Sequence, residues 1–403
     1  MSKNSENLGT FSSLKTEMKG LLKANIRDYA MYIALVLIFI FFGIRTDGLF
    51  LSSRNISDLI NQTGYVAVLA IGMTIILIIK HIDLSVGYVA GFLGAVAALL
   101  LKGGMNVWFV IPVILLIGIV IGLYQGFLVA KIGVPAFVTT LAGMFIFRGL
   151  LSRVTGASGT IIVKDETFKA LSNGFIPDLP VLTDVNIHFL TIVFGIIGIV
   201  LVVSKLIKER KNMLKYNFKV ISKPIFIVQI MFIAAVILSI VYVLAKYKGI
   251  PWTAVIVGIV LLIYNFMLNK TRLGRYIYGI GGNSEAAELS GVNVRKITFF
   301  AFASMSMLAA LAGILYTSRL ASATPTAGMS FELDAIASSY IGGVSVNGGI
   351  GRVTNTIIGA FVIMSLTNGM NLMGVDVSYQ YMVKGIIFII AVAFDVKTRG
   401  SRR

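Results

Sequence analysis

From residue 29 onward the chain alternates long apolar runs with short polar ones. Twelve such runs lie near 29–44, 60–79, 84–101, 107–130, 135–151, 187–204, 224–245, 250–268, 297–318, 335–347, 353–373 and 380–396. About 20 apolar residues are enough to cross a bilayer as a helix, so each run is an expected span. The tenth is interrupted by Ser338, Ser339, Gly342, Gly343 and Ser345. It is expected to be broken or re-entrant, because irregular backbone survives at membrane depth only where protein or a water-filled cavity surrounds it. The pattern predicts an all-α integral membrane protein with about twelve transmembrane helices, some of them broken. A single membrane domain, 29–403, follows a polar N-terminal segment, 1–28. In that segment Phe11, Leu14, Met18, Leu21, Leu22 and Ile26 share one helical face, and Lys15, Lys19, Lys23 and Arg27 line another. The spacing fits either a helix lying on an anionic cytoplasmic membrane surface or an extension of the first span.

Composition narrows the picture. Of the 403 residues 57% are hydrophobic and 13% charged, against roughly 25% charged in a soluble domain. The chain has no cysteine, which excludes disulfides, thiolate metal sites and cysteine nucleophiles. Its two histidines, His81 and His188, are too few for a histidine metal centre. The net charge of +18 is spread through short loops between spans, which argues against a nucleic-acid partner and for the positive-inside rule. With the N-terminus inside, 24 Lys and Arg fall on the cytoplasmic side and 10 outside. The expectation is a multi-pass protein of the plasma (inner) membrane, in contact with membrane lipids, with both termini cytoplasmic. It has a basic cytoplasmic loop at 205–223, a second cytoplasmic loop at 269–296 and an external loop at 152–186. No small-residue cleavage site follows the first run, so no cleaved leader is expected.

Candidate chemistry is sparse. No G-x-x-x-x-G-K-[ST] occurs, so the chain has no P-loop with which to hydrolyse ATP. With these span boundaries all 17 acidic residues fall in loops, termini or the last turn of a span. An ion-coupled carrier would then lack its usual carboxylate near the bilayer midplane. No catalytic constellation is suggested by local spacing, and an enzyme is not expected.

Two polar stretches stand out. In Thr271–Lys296 the centre Glu285-Ala286-Ala287-Glu288-Leu289-Ser290-Gly291 reads as a very short helix. Asn283 or Ser284 can cap its N-terminus, Glu285 sits at the positive end of its dipole, and Gly291 can end it in the left-handed conformation. Ala286 and Ala287 give it a small, close-approach surface. In His81–Gly87, Asp83 and Ser85 can cap the following helix, and Gly87 permits close packing. At an offset of 265 residues, Ala70-Ile71 matches Ala335-Ile336 and Gly94-Ala95 matches Gly359-Ala360, the pattern of a parallel repeat.

Glu285-Ala286-Ala287, then three residues, then Gly291 resembles the EAA loop of ABC importer permeases, although the I-x-L-P that often follows is missing. Gly274–Asn283 is similar to the lead-in of carbohydrate permeases of the ribose/xylose type. His81–Gly87 resembles their GIDLSVG box, with His81 in place of the usual Gly, a change expected to alter the tightness of the turn. The resemblance continues through Val134–Leu141, Arg148-Gly149, Ala323–Gly328, Glu332–Ala337 and the pairs Gly342-Gly343, Gly348-Gly349 and Asn368-Gly369, covering about 55–396. The added segment 205–250 and the ending Ala391–Val396 are similar to the xylose or multiple-monosaccharide branch.

What the resemblance implies is a type II ABC importer-like permease, acting as a homodimer and carrying a monosaccharide inward. It implies a coupling helix made of Asn283, Ser284, Glu285, Ala286, Ala287, Glu288 and Gly291, on which a cytoplasmic ABC ATPase docks. It also implies an extracytoplasmic sugar-binding protein, with 152–186 as the expected outward docking surface. The chain would bind no cofactor itself, ATP and Mg being used by the ATPase. Asp83, Ser85, Thr139, Thr140, Ser345 and Asn347 are the expected lining of the pathway. The rival expectation is a secondary sugar carrier of the major-facilitator type.

Overall fold

The structure is a computed structural model that describes residues 26–156, 159–179, 187–218 and 220–400. The amphipathic face expected between Phe11 and Leu22 lies outside these residues. The helices in chain order are α1 (Ile26–Arg45), α2 (Ser53–Ile78), α3 (Val86–Lys102), α4 (Val107–Phe127), α5 (Ala136–Thr155), α6 (Glu166–Asn173), α7 (Phe189–Lys215), α8 (Lys223–Ala245), α9 (Trp252–Lys270), α10 (Arg272–Gly282), α11 (Ser284–Leu289), α12 (Val294–Leu320), α13 (Phe331–Ile341), α14 (Val353–Leu372) and α15 (Val377–Gly400). Two short strands, β1 (Ile161–Ile162) and β2 (Ser322–Ala323), pair antiparallel. Every one of the twelve expected spans contains a helix. Eight are long and apolar enough to cross a membrane, and three shorter apolar ones are Ala30–Arg45, Val86–Lys102 and Val377–Ala393.

The chain divides into two compact units. The smaller includes 175–250 and is built on the hairpin of α7 and α8. Gly195 packs against the Val241 side chain, and His188 donates its amide to Ala245 O at 2.9 Å. Arg210 donates to Ile221 O at 2.7 Å and lies over the Phe226 ring.

The larger unit holds 31–51, 58–174 and 251–403. Its centre is α12, packed on both α3 and α4. Small residues let the backbones meet there: a Cβ added at Gly94 or Gly118 would collide with backbone of α12. Helices that associate inside a bilayer gain from such close packing, since lipid tails give no hydrophobic drive between them. α4 ends in a π-helical turn, Leu128–Ile132, closed by Gly133 at φ 87°.

The tenth crossing is the short one. α13 has 11 residues, about 16 Å at 1.5 Å per residue, roughly half of a ~30 Å hydrocarbon core. At its start the Phe331 ring packs on Tyr65. Farther along, Ser339 Oγ donates to Ala70 O at 3.2 Å, and the following loop reaches the end of α2, where Gly349 N–H donates to Ile78 O at 2.9 Å. Residues 331–352 therefore run alongside α2 from its middle to its C-terminal end, half as helix and half as irregular backbone.

This placement corrects the acidic inventory. Glu332 and Asp334 do not lie in a loop; they occupy the first turn of α13. Glu332 is buried, and Asp334 pairs with Lys384 of α15 at 3.0 Å. The helix begins four residues before the expected run because Ser330, at φ 66°, turns the chain into it after Gly328, at φ 85°. The position of the apolar residues alone gives no sign of that turn.

Candidate functional site

The stretch 271–293 folds as two linked helices. Thr271 Oγ1 accepts from Gly274 N–H at 3.3 Å and starts α10. Asn283 caps α11, its Oδ1 accepting from Ala286 N–H at 3.0 Å, so Asn283 rather than Ser284 holds that end. Gly291, at φ 83°, turns the chain out, its N–H donating to Glu288 O at 2.9 Å. Ser284, Glu285, Ala286 and Glu288 are exposed, whereas Ala287 is buried. Ala287 therefore anchors the stub, and Ala286 alone supplies the small outward surface. Leu289 is 90% exposed, an apolar knob with no sequence signature, since a single Leu carries no pattern.

α11 is set on the protein through a polar and glycine-rich seam. Lys80 Nζ donates to Gly282 O at 3.2 Å, and Tyr278 Oη donates to Gly351 O at 2.7 Å. The turn 79–85, the loop 342–352 and α11 thus share one face of the larger unit. At the other end of α12 lies part of the 152–186 loop. Val163 N–H donates to Ala321 O at 2.9 Å, and Ser172 N–H donates to Ser318 Oγ at 3.0 Å. Described residues of that loop are ordered by β1 and α6, whose Phe168 is fully buried.

The six expected pathway residues form two groups. Asp83 is fully buried; its Oδ1 accepts from Ser85 N–H at 2.9 Å and Ser85 Oγ at 2.7 Å. Ser85 stands at the N-cap of α3 but makes no side-chain cap bond; instead it accepts from Gln125 Nε2 at 2.7 Å. Thr140 Oγ1 donates to Ala136 O at 2.9 Å. Thr139 and Gln125 line a shallow apolar groove between α4 and α5, together with Tyr124, Val138, Gly143 and Phe147. Asp83 Oδ2, Gln125 Oε1 and Thr139 Oγ1 are buried without a hydrogen-bond partner. Ser345 and Asn347 lie apart, in the loop after α13, where Ser345 Oγ accepts from Asn347 N–H at 3.2 Å. In the turn before Asp83 the left-handed residue is Lys80, at φ 64°, not His81, so a histidine at 81 needs no glycine-like backbone. Among the described residues no group of three or more His, Cys, Asp or Glu is placed to hold a metal.

The geometry of the larger unit is that of a bundle of apolar helices with the capped stub α11 on one face. Comparison with known proteins agrees. The family model described as branched-chain amino acid transport system / permease component matches residues 55–392. The xylose transport system permease protein of Haemophilus influenzae is 37% identical over 388 residues, 94% of this chain and 98% of that protein. Its counterpart in Escherichia coli K12 is 37% identical over 386 residues, 94% of each. The ribose import permease protein of Haemophilus influenzae is 36% identical over 349 residues, 86% of each. No solved structure matches the chain. The chain therefore belongs to the family of branched-chain amino acid transport system permease components, multi-pass membrane permease subunits rather than enzymes.

Proposed function

We propose that this chain is the membrane permease of an ATP-driven ABC importer that carries xylose or a related monosaccharide inward. Near full-length kinship with a xylose permease, 37% identity over 94% of the chain, carries the reading. The capped, exposed α11 supports the division of labour: energy enters from a cytoplasmic ABC ATPase docked on Ser284, Glu285, Ala286, Glu288 and Leu289, with Asn283 and Gly291 fixing the stub's ends. The permease works as a homodimer, and an extracytoplasmic sugar-binding protein delivers sugar at the opposite face, on the loop that carries β1 and α6. Sugar passes between small and hydroxyl-bearing side chains, with Asp83, Ser85, Thr139 and Thr140 near the α4–α5 groove and Ser345 and Asn347 in the loop after α13. Both termini are cytoplasmic, following the Lys and Arg bias, and ATP with Mg is consumed by the ATPase.

With Glu332 buried and Asp334 half-buried beside Lys384 in α13, a lack of carboxylates within the spans no longer counts against ion coupling. Kinship and α11 now separate the readings. Uptake of labelled xylose by cells expressing the whole system is expected to survive collapse of the proton gradient while ATP is maintained. Glu285→Lys and Gly291→Trp are expected to abolish uptake with membrane insertion intact. Uptake that stops with the proton gradient, or that stays normal in both variants, would overturn the assignment.

A further inference from the structure

Docking on α11 raises the question of what the stub moves. Gly281, at the end of α10, has no room for a side chain: a Cβ there would collide with the Ile78 carbonyl oxygen and press on the Gly349 amide nitrogen and Cα. Those two groups are bonded to each other, Gly349 N–H donating to Ile78 O at 2.9 Å. One turn back on α10, Tyr278 Oη donates to Gly351 O at 2.7 Å. By contrast, a Cβ at Gly279 or Gly282 would meet nothing within 4 Å. Gly349 and Gly351 are thus held by α10 through one interlocked glycine contact, shared with Ile78 at the end of α2, and one hydroxyl.

The gripped segment is the irregular half of the tenth crossing. Within the segment the bonds are local, Ser345 N–H to Ile350 O at 2.8 Å, Gly348 N–H to Ser345 O at 3.1 Å and Asn347 N–H to Ser345 Oγ at 3.2 Å, and the Gly349 amide ties it to the end of α2. Backbone outside a helix has no ladder of i→i+4 bonds to resist bending, so a push there displaces the segment before it displaces a full span. Above it, α13 is tied to α14 through close backbone contact at Gly359 with Ser338, and to α15 through Asp334 and Lys384. We infer that Tyr278 and Gly281 are positioning residues of the transport cycle: they fasten α10 to residues 348–351, so that displacement of α11 is delivered to the broken crossing. The inference rests on the reading of α11 as the ATPase dock.

The test uses the full complex, with its ATPase and sugar-binding protein, in proteoliposomes. Labelled xylose uptake and ATP hydrolysis are measured on the same vesicles, and the quantity read is sugar moved per ATP. Tyr278→Phe removes one hydrogen bond and is expected to lower that ratio roughly fivefold, the factor equivalent to about 1 kcal/mol. Gly281→Ala is expected to lower it further, while Gly279→Ala leaves it unchanged. A variant that merely folds less well loses uptake and hydrolysis together and keeps the ratio. A wild-type ratio in Tyr278→Phe, with the ATPase still copurifying, overturns the inference and spares the docking assignment; this arm decides even if Gly281→Ala fails to insert. Copurification of the ATPase as well with Glu285→Lys as with wild type overturns the docking assignment, and the inference falls with it.

Discussion

Asp178 accepts hydrogen bonds from three backbone amides, Leu179 at 2.9 Å, Phe189 at 2.7 Å and Leu190 at 2.9 Å, and so closes the N-terminus of α7. These bonds, Leu190 foremost, hold its carboxyl below the usual aspartate range, with His188 Nδ1 adding to the effect from 3.6 Å. A depressed folded value means that the contribution to local stability is fully present above the unfolded value of about 3.9 and is lost as pH falls through the lower folded value. Limited proteolysis at the start of α7, residues 187–190, in detergent is therefore expected to stay flat from neutral pH to about 4.5 and to rise only below that. Asp178→Asn is expected to raise cleavage at neutral pH and flatten the acid dependence. Cleavage in Asp178→Asn that matches wild type at neutral pH would show that the carboxylate does not hold this end of α7. Residues of this kind are hard to read from a sequence. Asp178 reaches amides eleven and twelve positions away, and nothing local marks it as a cap, whereas Asn283 caps α11 from a position that the short-range rule picks out.

At the scale of elements, α13 shows how a broken crossing is held. The Asp334–Lys384 pair, with side chains 14% and 19% exposed, ties its first turn to the last span. Removing one partner of a mostly buried pair strands the other charge, at a cost on the order of 3 kcal/mol. Lys384→Met is thus expected to lower the thermal midpoint of the purified protein by several degrees, with Asp334→Asn added to it restoring most of the loss. A double variant as unstable as the single one would show that the lysine acts through packing alone. Hydropathy made the spans legible but not their arrangement. α7 and α8, among the most apolar, are 11% and 6% buried, while the less apolar α2 is 89% buried. Spans facing lipid can be uniformly greasy, but spans at the centre exchange bulk for glycine, alanine, serine and threonine so that backbones can approach. A hydropathy reading therefore marks the least buried helices most strongly. The glycine seam was hidden for a related reason: Gly279, Gly281 and Gly282 look alike in sequence, and only their neighbours in space separate them.

For the larger unit as a whole, the proposed function depends on two functional faces at opposite ends of α12, whose 27 residues span about 40 Å as a helix. One end carries α11, the turn 79–85 and the loop 342–352; the other carries β1, β2 and α6. Two spans leave the first face in sequence, α12 and α14, so 321–352 must bring the chain back between them. An 11-residue helix does this only if the irregular backbone on either side completes the crossing. The sidedness of 321–352 is open to direct labelling because the chain has no native cysteine. Single cysteines at the exposed positions Ile162, Met329, Asn347 and Leu289 report on both faces and on both ends of the broken crossing. A membrane-impermeant maleimide added to intact cells is expected to label Ile162→Cys and Met329→Cys. Asn347→Cys and Leu289→Cys should react only after the cytoplasmic side is opened. Labelling of 329 and 347 from the same side would make 331–352 a re-entrant loop, and α14 would then run in the opposite sense to α12. The Tyr278–Gly351 bond could not form in such an arrangement, because α10 and the loop after α13 would lie on different sides of the membrane.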